Sequence, residues 1–596
     1  MANPEPFSDE ARFSGSANPR PAKTTELWDE NDESYLVEWW KANFFIRKPI
    51  LFGTWDGVFT SCMLNIFGLV VFLRAGWMVG NAGLLLSCLI IVFTLFVGLC
   101  TVIASNGLIA SCTENSRGGI YGIITYVFGA KVGATVGIMY VLGQTICIAL
   151  YVTGFAEAIV LKFDPDPANH WLLRGIGIIT VLLLTVVALF GVKYLVRLQL
   201  VLLGILVLAV LDFVIGCSIA DGPSGMTGFN STSFHDNLYP GFAEKQTFFT
   251  VLGVFFPTCT GLMAGVNMQG DLKSPHNNIS TGSLASLAVS GFLYYMFVIL
   301  LACTVQKELL LSDYMIASEI SWISWMFLIG LYIASLSSIL GSLYGAPRVF
   351  QCIALDNIIP IIGIFGKGRG ANNEPVIATI TVSLVSCCFV LVGHLNILAP
   401  ITAMPFLLTY AAVNYAYFSL AMTEERSTKP ESILDQYNTE STPIMKDSEN
   451  NMNSSESYPL LDAYNDSVKD ERRVYWHEHL QSKWLTFVGA LLSVLMMFLI
   501  HWLFALLTTA LATMIYFYTR TTSPGTKPGA SSFVLSRWLY HVVRSVVHPL
   551  PAEEKIVIAT ETPEMSYKTM QLTDENTDYQ EREKVHQSVI SEQIET

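Results

Sequence analysis

The chain has 596 residues, of which 52% are hydrophobic and 14% are charged. Soluble domains carry about 25% charged residues, so this composition excludes an ordinary soluble protein and favours a chain with many apolar spans. The net charge of −14 comes mostly from acids in polar tails and one linker, and without a basic patch it excludes a nucleic-acid partner.

Stretches of about 20 mostly apolar residues, the length that crosses a bilayer, predict an all-α polytopic membrane protein. About twelve helices are predicted, at 53–78, 84–111, 132–161, 171–190, 194–217, 246–269, 282–304, 321–350, 375–393, 396–422, 484–501 and 503–520. The longest apolar stretches, 375–423 and 484–519, are interpreted as hairpins of two helices, the second with its turn near His501.

The polar segments divide the predicted helices into two groups and leave flanks at both ends. The predicted organisation is a cytosolic N-terminal tail with a short amphipathic segment over 1–50, a ten-helix core over 51–422, a disordered cytosolic linker over 423–483, helices 11 and 12 over 484–520, and a short cytosolic C-terminal tail with an interfacial helix over 521–596.

Lysine and arginine in short loops predict the orientation, because such loops stay on the cytoplasmic side. Arg117 and Lys131 lie in the connection between helices 2 and 3, and Lys273 lies in the connection between helices 6 and 7. Both connections are then cytoplasmic, which places both termini in the cytoplasm of a multi-pass protein. Asn230-Ser231-Thr232 is then a glycosylation sequon in an external loop, and Asn230 is the predicted acceptor. The plasma membrane is the expected location, and two short sorting-like patterns in the linker and the C-terminal tail would add endosomal membranes.

Helices 1 and 6 are predicted to be interrupted in mid-span. Helix 1 reads MLNIFGLV over 63–70, and helix 6 reads FFPTCTGLM over 255–263. Glycine and proline free backbone groups that hydrocarbon cannot satisfy, so such segments usually line a polar cavity. Freed N–H groups can hold an anion, and freed carbonyls can hold K⁺ or Na⁺. The two interruptions lie five helices apart, the spacing of two inverted five-helix repeats.

Several long segments resemble the cation–chloride cotransporters, solute carrier family 12. They are GVFTSCMLNIFGLVVFLRAGWMVGNAG from Gly57, YVTGFAEAIV, FFTVLGVFFPTCTGLMAGVNMQGDL, LYIASLSSILGSLYGAPRVFQCIALDNIIP and LNILAPI. The resemblance implies a LeuT-like core of five plus five inverted helices, the amino acid–polyamine–organocation superfamily fold. It also implies secondary active symport of chloride with potassium and/or sodium, with no cofactor. Nucleotide-binding and hydrolase motifs are absent from the sequence, so an enzyme is not expected.

The family pattern implies ion-binding roles position by position. The implied potassium ligands are Asn65, Ile66, Tyr151, Pro257 and Thr260. The implied chloride contacts are Gly68, Leu69 and Val70 at one position, and Gly261, Leu262 and Met263 with Tyr410 at the other. The implied sodium ligands are Leu64, Phe67, Ala334, Ser337 and Ser338. The serine pair, Ser337 and Ser338, is present in sodium-coupled members of the family. The alternative interpretation is that these small residues serve only to pack α-helices closely together.

Arg74 and Glu157 lie near the outer ends of helices 1 and 3, and the resemblance implies that they pair as an external gate. A static ion pair is the plainer alternative. Membrane lipids and the transported ions are the expected partners. A homodimer is also implied, although the short C-terminal tail leaves it open. Two other functions fit the scaffold: transport of a small organic solute (an amino acid, polyamine or nucleotide-like compound), and a non-transporting regulatory subunit of related cotransporters.

Overall fold

The computed structural model describes residues 52–112, 118–163, 170–189, 192–219, 228–229, 231–369, 373–440, 480–522, 529–531, 533 and 540. The predicted glycosylation acceptor Asn230, both amphipathic flanks and most of the linker lie outside these residues.

Twelve apolar helices are found in the described parts of the chain. Nine helical stretches are long and apolar enough to cross a membrane, two of these are divided by a non-helical residue, and Val376–Val390 is a shorter apolar helix. We number them as follows: α1 from Thr54 to 82, α2 84–111, α3 Ala130–Phe163, α4 His170–Ala188, α5 Val192–Ile219, α6 Phe248–Asn267, α7 Pro275–Thr304, α8 Ser324–Leu355, α9 Val376–Val390, α10 Leu395–Glu440, α11 483–500 and α12 502–522. The predicted fold class is confirmed.

Two sharp turns separate helices that the chain connects without a loop. Gly83 has φ +68°, and a Cβ there would lie 2.5 Å from the carbonyl carbon of Tyr239, so glycine alone fits between α1 and α2. His501 leaves the helical region with φ −160° and ψ 97°, which divides α11 from α12 at the predicted position.

Two helix ends differ from the prediction by more than five residues. α7 begins at Pro275 rather than at 282, and α10 continues to Glu440 rather than ending at 422. Proline fits the first turn of a helix, where its missing N–H has no partner in any case. The polar residues after 422 cancel the apolar signal without preventing helix formation, so part of the segment predicted to be disordered is helical.

The breaks in α1 and α6 occur where the sequence predicts them, but they differ in form. In α1 the helix Thr60–Ile66 stops, Phe67 and Gly68 are non-helical, and a new helix begins at Leu69. In α6 the middle segment Phe256–Met263 is a 3₁₀-helix between two α-helical pieces, rather than an unwound stretch. The tighter 3₁₀ winding keeps local i→i+3 bonds around Pro257, which has no N–H to donate.

Short helices connect the long apolar ones. They are Ile120–Phe128 before α3, Ser231–Leu238 before α6, Lys307–Ser312 and Ile316–Ile320 before α8, and Pro360–Gly366 before α9. We call the end of the bundle that holds Arg74 and Glu157 the outer end, in line with the predicted orientation, and the opposite end the inner end.

Candidate functional site at the breaks of α1 and α6

The two broken segments touch at Gly261. A Cβ at this position would lie 2.5 Å from Cβ of Asn65 and 2.6 Å from the Asn65 carbonyl carbon. Beside this contact lies a cavity whose free space is about 10 Å³, enough for about one solvent-sized sphere. Its lining comes from α1, α3, α6 and α8: Ser61, Asn65, Gln144, Cys147, Tyr151, Thr260, Gly261, Ala264, Asn267, Gly341, Ser342, Tyr344 and Gly345.

The structure brings together three of the five residues predicted for potassium. Asn65, Tyr151 and Thr260 line the cavity, and the Tyr151 hydroxyl donates to the Asn65 carbonyl at 3.3 Å. Pro257 lies behind Thr260, whose hydroxyl donates to the Pro257 carbonyl at 2.7 Å. Ile66 is not among the lining residues, and its carbonyl accepts a hydrogen bond from Tyr294 instead.

Oxygens of the predicted sodium set lie together between α1 and α8. The Ser338 hydroxyl is 2.9 Å from the carbonyl oxygens of both Leu64 and Ala334. The Ser337 hydroxyl is fully buried and has no hydrogen-bond partner among the residues described. Phe67, at the break itself, is fully buried beside this group. The buried, partly unpartnered oxygens suit a hard monovalent cation, and the sodium role remains a prediction.

The residues predicted for chloride lie at the breaks of α1 and α6. Gly68 precedes the outer part of α1, so Leu69 and Val70 occupy a first turn whose N–H groups have no acceptor within the helix. Gly261, Leu262 and Met263 end the 3₁₀ segment of α6. Tyr410 approaches the same segment, and its buried hydroxyl donates to the Cys259 carbonyl at 2.9 Å.

Arg74 and Glu157 form a buried ion pair at the outer end. The distance from Nη2 to Oε1 is 2.7 Å, and the side chains are 3% and 15% exposed. Arg74 also donates from Nε to Asn396 at 2.8 Å and lies 4.0 Å above the Tyr314 ring. A cavity of about 190 Å³ adjoins the pair, and a gate at this point would control access to it.

A second charged cluster lies at the inner end and was not predicted. Arg348 of α8 pairs with Asp271 at 2.9 Å and with Glu374 at 3.5 Å, and the Tyr344 hydroxyl also donates to Asp271. Burial raises the pKa of the Glu374 carboxyl, and the Arg348 charge opposes that shift. Asp271, Arg348 and Glu374 lie far apart in the sequence, and such residues give no signal of pairing.

Tyr294 of α7 is a further residue that the sequence did not identify. Its hydroxyl lies 2.8 Å from the Ile66 carbonyl and 3.3 Å from the Thr258 carbonyl, so it bridges the two broken helices on the side away from the cavity. A tyrosine within an apolar helix has no spacing rule that would distinguish it from a packing residue.

Substitution of Gly261 tests the contact between the breaks. Gly261→Ala should lower stability by about 1–3 kcal/mol and displace the lining of the cavity, because the nearest atoms belong to the Asn65 backbone and Cβ, which cannot rotate away. Thermal unfolding of the purified protein measures the first effect. Gly204→Ala is the matched control, since a Cβ there has nothing within 4 Å. Equal melting temperatures for both variants would contradict the contact.

In the part of the chain that the structure describes, twelve apolar helices surround a buried polar cavity with an ion pair on either side of it, an arrangement typical of a membrane transporter. A family model described as "Amino acid permease" matches residues 57–434. The chain belongs to solute carrier family 12, the cation–chloride cotransporters, and is therefore a membrane cotransporter rather than an enzyme.

The similar proteins include several members of this family. Solute carrier family 12 member 8 of Homo sapiens is 35% identical over 93% of this chain and 95% of its own length, and member 8 of Xenopus laevis is 34% identical over 93% of both. Member 2 of Mus musculus is 31% identical over 82% of this chain and 40% of its own length. The segment GTWDGVFTSC over 53–62 and the long linker after α10 predict the member 8 branch from the sequence, and the comparisons agree.

Proposed function

We propose that this cotransporter moves chloride together with potassium and/or sodium, by secondary active symport. The observation that supports this most is the size and chemistry of the cavity between α1 and α6. Its free space of about 10 Å³ suits one atomic ion, whereas pockets for organic ligands commonly measure about 300–1,000 Å³. Its polar lining supplies neutral oxygens, which replace the water around an alkali cation.

The arrangement supports a distinct place for each ion. Asn65, Tyr151 and Thr260 offer oxygens for potassium at the cavity. The Ser338 hydroxyl and the Leu64 and Ala334 carbonyls offer oxygens for sodium between α1 and α8. One chloride would bind the helix N-terminus at Leu69, where partial positive charge is available without a buried cationic side chain, and the family pattern adds a second chloride position at Gly261, Leu262 and Met263.

The two ion pairs support transport by alternating access. Arg74–Glu157 would close the outer path and Arg348–Asp271 the inner path, so ions bound between them would be released to one side at a time. Ion gradients supply the driving force, and no cofactor enters the proposal.

Reconstituted flux with systematic ion replacement tests this function. Purified full-length protein in liposomes should take up ³⁶Cl⁻ only when Rb⁺ or Na⁺ is present on the same side, and ⁸⁶Rb⁺ only when chloride is present. Background uptake of ²²Na⁺, ⁸⁶Rb⁺ and ³⁶Cl⁻ by correctly folded protein would reject the inorganic cotransport proposal.

An organic solute is the second candidate, because the matching family model is described as an amino acid permease. The two candidates share the scaffold and the breaks but need cavities of different size. Uptake of labelled amino acids, polyamines or nucleotide-like compounds in the same liposomes, with no ion flux above background, would favour it.

We further propose that both termini face the cytoplasm, that the protein works in the plasma membrane and in endosomal membranes, and that Asn230 is glycosylated on the outside. A homodimer is proposed as its assembly. Mass measurement of the purified protein in detergent tests the last point, since a monomer and a dimer differ twofold.

The Tyr151→Phe variant should lose potassium affinity. The substitution removes the hydroxyl at 3.3 Å from the Asn65 carbonyl, and with it one oxygen of the proposed site. The KM for Rb⁺ should rise about tenfold while the KM for Na⁺ stays unchanged. Tyr332→Phe, at a tyrosine of α8 that does not line the cavity, is the matched control. Equal changes for Rb⁺ and Na⁺ would contradict the assignment.

A further inference from the structure

The cavity extends from the proposed potassium ligands toward the inner end. On each of four helices, a polar residue lies one or two helical turns closer to the inner end than a predicted ligand does. Ser61 lies inward of Asn65 on α1, and Gln144 lies inward of Tyr151 on α3. On the other two helices the corresponding residues are Asn267 of α6 and Ser342 of α8. The four residues form a second polar layer that none of the predicted ion sites uses.

Three of the four side chains of this layer are buried, and the layer is incompletely paired. Ser61 and Ser342 are each 4% exposed and Gln144 is 7% exposed. Neither serine hydroxyl makes a hydrogen bond within the described part of the chain. Both serines line the cavity, so their hydroxyl oxygens are available to a ligand in it.

The chemistry of the layer favours a monovalent alkali cation. Gln144 donates from Nε2 to the Tyr140 hydroxyl at 2.7 Å, which leaves its amide oxygen for a cation. The lining supplies hydroxyl and amide oxygens but no carboxylate, whereas divalent cations usually bind at least one. Asp271, the acid that contacts the lining residue Tyr344, is already paired with Arg348.

We propose that Ser61, Gln144 and Ser342 form an inner station for the transported alkali cation. This inference rests on the proposed ion cotransport and adds a binding position to it. Because the cavity holds about one solvent-sized sphere, one cation occupies either Asn65 and Tyr151 or the inner station, and moves between them. Tyr344 lines the inner part of the same cavity and binds Asp271, so opening of the Arg348 pair would release the cation inward.

Cysteine substitution tests the station through the softness of the ligand. Sulfur is a softer ligand than oxygen, so Ser61→Cys and Ser342→Cys should each bind thallium(I) better relative to Rb⁺. The ratio of KM values for Rb⁺ and Tl⁺, measured in liposomes with dilute Tl⁺, should rise about tenfold in both variants. Ser335→Cys is the matched control, because Ser335 is equally buried on α8 but donates to the Leu331 carbonyl at 2.7 Å away from the cavity.

The ratio of the KM values for Rb⁺ and Tl⁺ distinguishes failure of the inner station from failure of the proposed function. If the inner station is absent, wild type and all three variants carry Rb⁺ with the same preference for Tl⁺, and the proposed function survives. If wild type carries no Rb⁺ at all, the proposed function itself fails. The ratio of the two KM values does not depend on the amount of folded protein. For a variant without flux, the preference for Tl⁺ is measured as the difference between the melting-temperature shifts that Tl⁺ and Rb⁺ produce.

Discussion

Glu157→Gln is expected to lower the free energy of unfolding by about 3–5 kcal/mol and to reduce coupled chloride flux at least about tenfold. The substitution leaves the Arg74 guanidinium, only 3% exposed, without its counter-charge at 2.7 Å. Asn396 and the Tyr314 ring remain as contacts of Arg74, but neither carries a negative charge. An unpaired buried cation is costly, and in the proposed mechanism an outer gate without the pair would not close on bound ions.

Two controls separate the buried charge from the loss of a surface contact. Glu425→Gln breaks the pair with Lys483, whose side chains are 42% and 28% exposed, and should change stability by less than about 1 kcal/mol. Replacing Arg74 and Glu157 together by methionine should restore much of the stability without restoring coupled flux. Thermal unfolding and ³⁶Cl⁻ uptake measure both effects. A Glu157→Gln protein with unchanged melting temperature and flux would show that the pair is neither structural nor a gate.

Ser338→Ala is expected to remove sodium dependence. The Ser338 hydroxyl lies 2.9 Å from the carbonyl oxygens of Leu64 and Ala334, so its loss removes one proposed ligand and leaves the Leu64 carbonyl at the break without a donor. Loss of one oxygen ligand from the proposed site weakens binding by about 1–3 kcal/mol, which corresponds to about a 5- to 150-fold rise in the KM for Na⁺.

The effect of Ser338→Ala should be specific to one cation. ²²Na⁺ and ⁸⁶Rb⁺ uptake at varied concentration should show a changed KM for Na⁺ and an unchanged KM for Rb⁺, the reverse of Tyr151→Phe. Ser335→Ala removes an equally buried hydroxyl that is bonded only within its own helix, and should alter neither value. Identical consequences for both cations in the Ser338 and Tyr151 variants would remove the basis for two separate sites.

The sequence predicts most of the fold because hydrophobic length and helix breakers act locally. The apolar spans place the twelve helices, and the turn near His501 and the breaks around Gly68 and Pro257 occur where the residues predict them. The extension of α10 to Glu440 was missed, because a polar helix outside the bilayer produces no hydropathy signal.

The candidate site could be predicted only in part. Asn65, Tyr151 and Thr260 lie on segments that break or adjoin a break, and the family resemblance gives them roles. Contacts between distant helices have no such signal, so Tyr294 and the Asp271–Arg348 pair emerged only from the three-dimensional arrangement. The 3₁₀ form of α6 also escaped prediction, since proline and glycine indicate a break without specifying its geometry.

The central claim is that the broken middles of α1 and α6 enclose a place where an alkali ion loses its water. An experimental structure of the full-length protein in Rb⁺, with anomalous scattering recorded at the rubidium edge, tests it most directly. The expected result is a peak bounded by the Asn65 carbonyl, the Tyr151 hydroxyl and Thr260, absent from a matched sample in choline. Continuous helices at both positions, with no peak between them, would contradict the account.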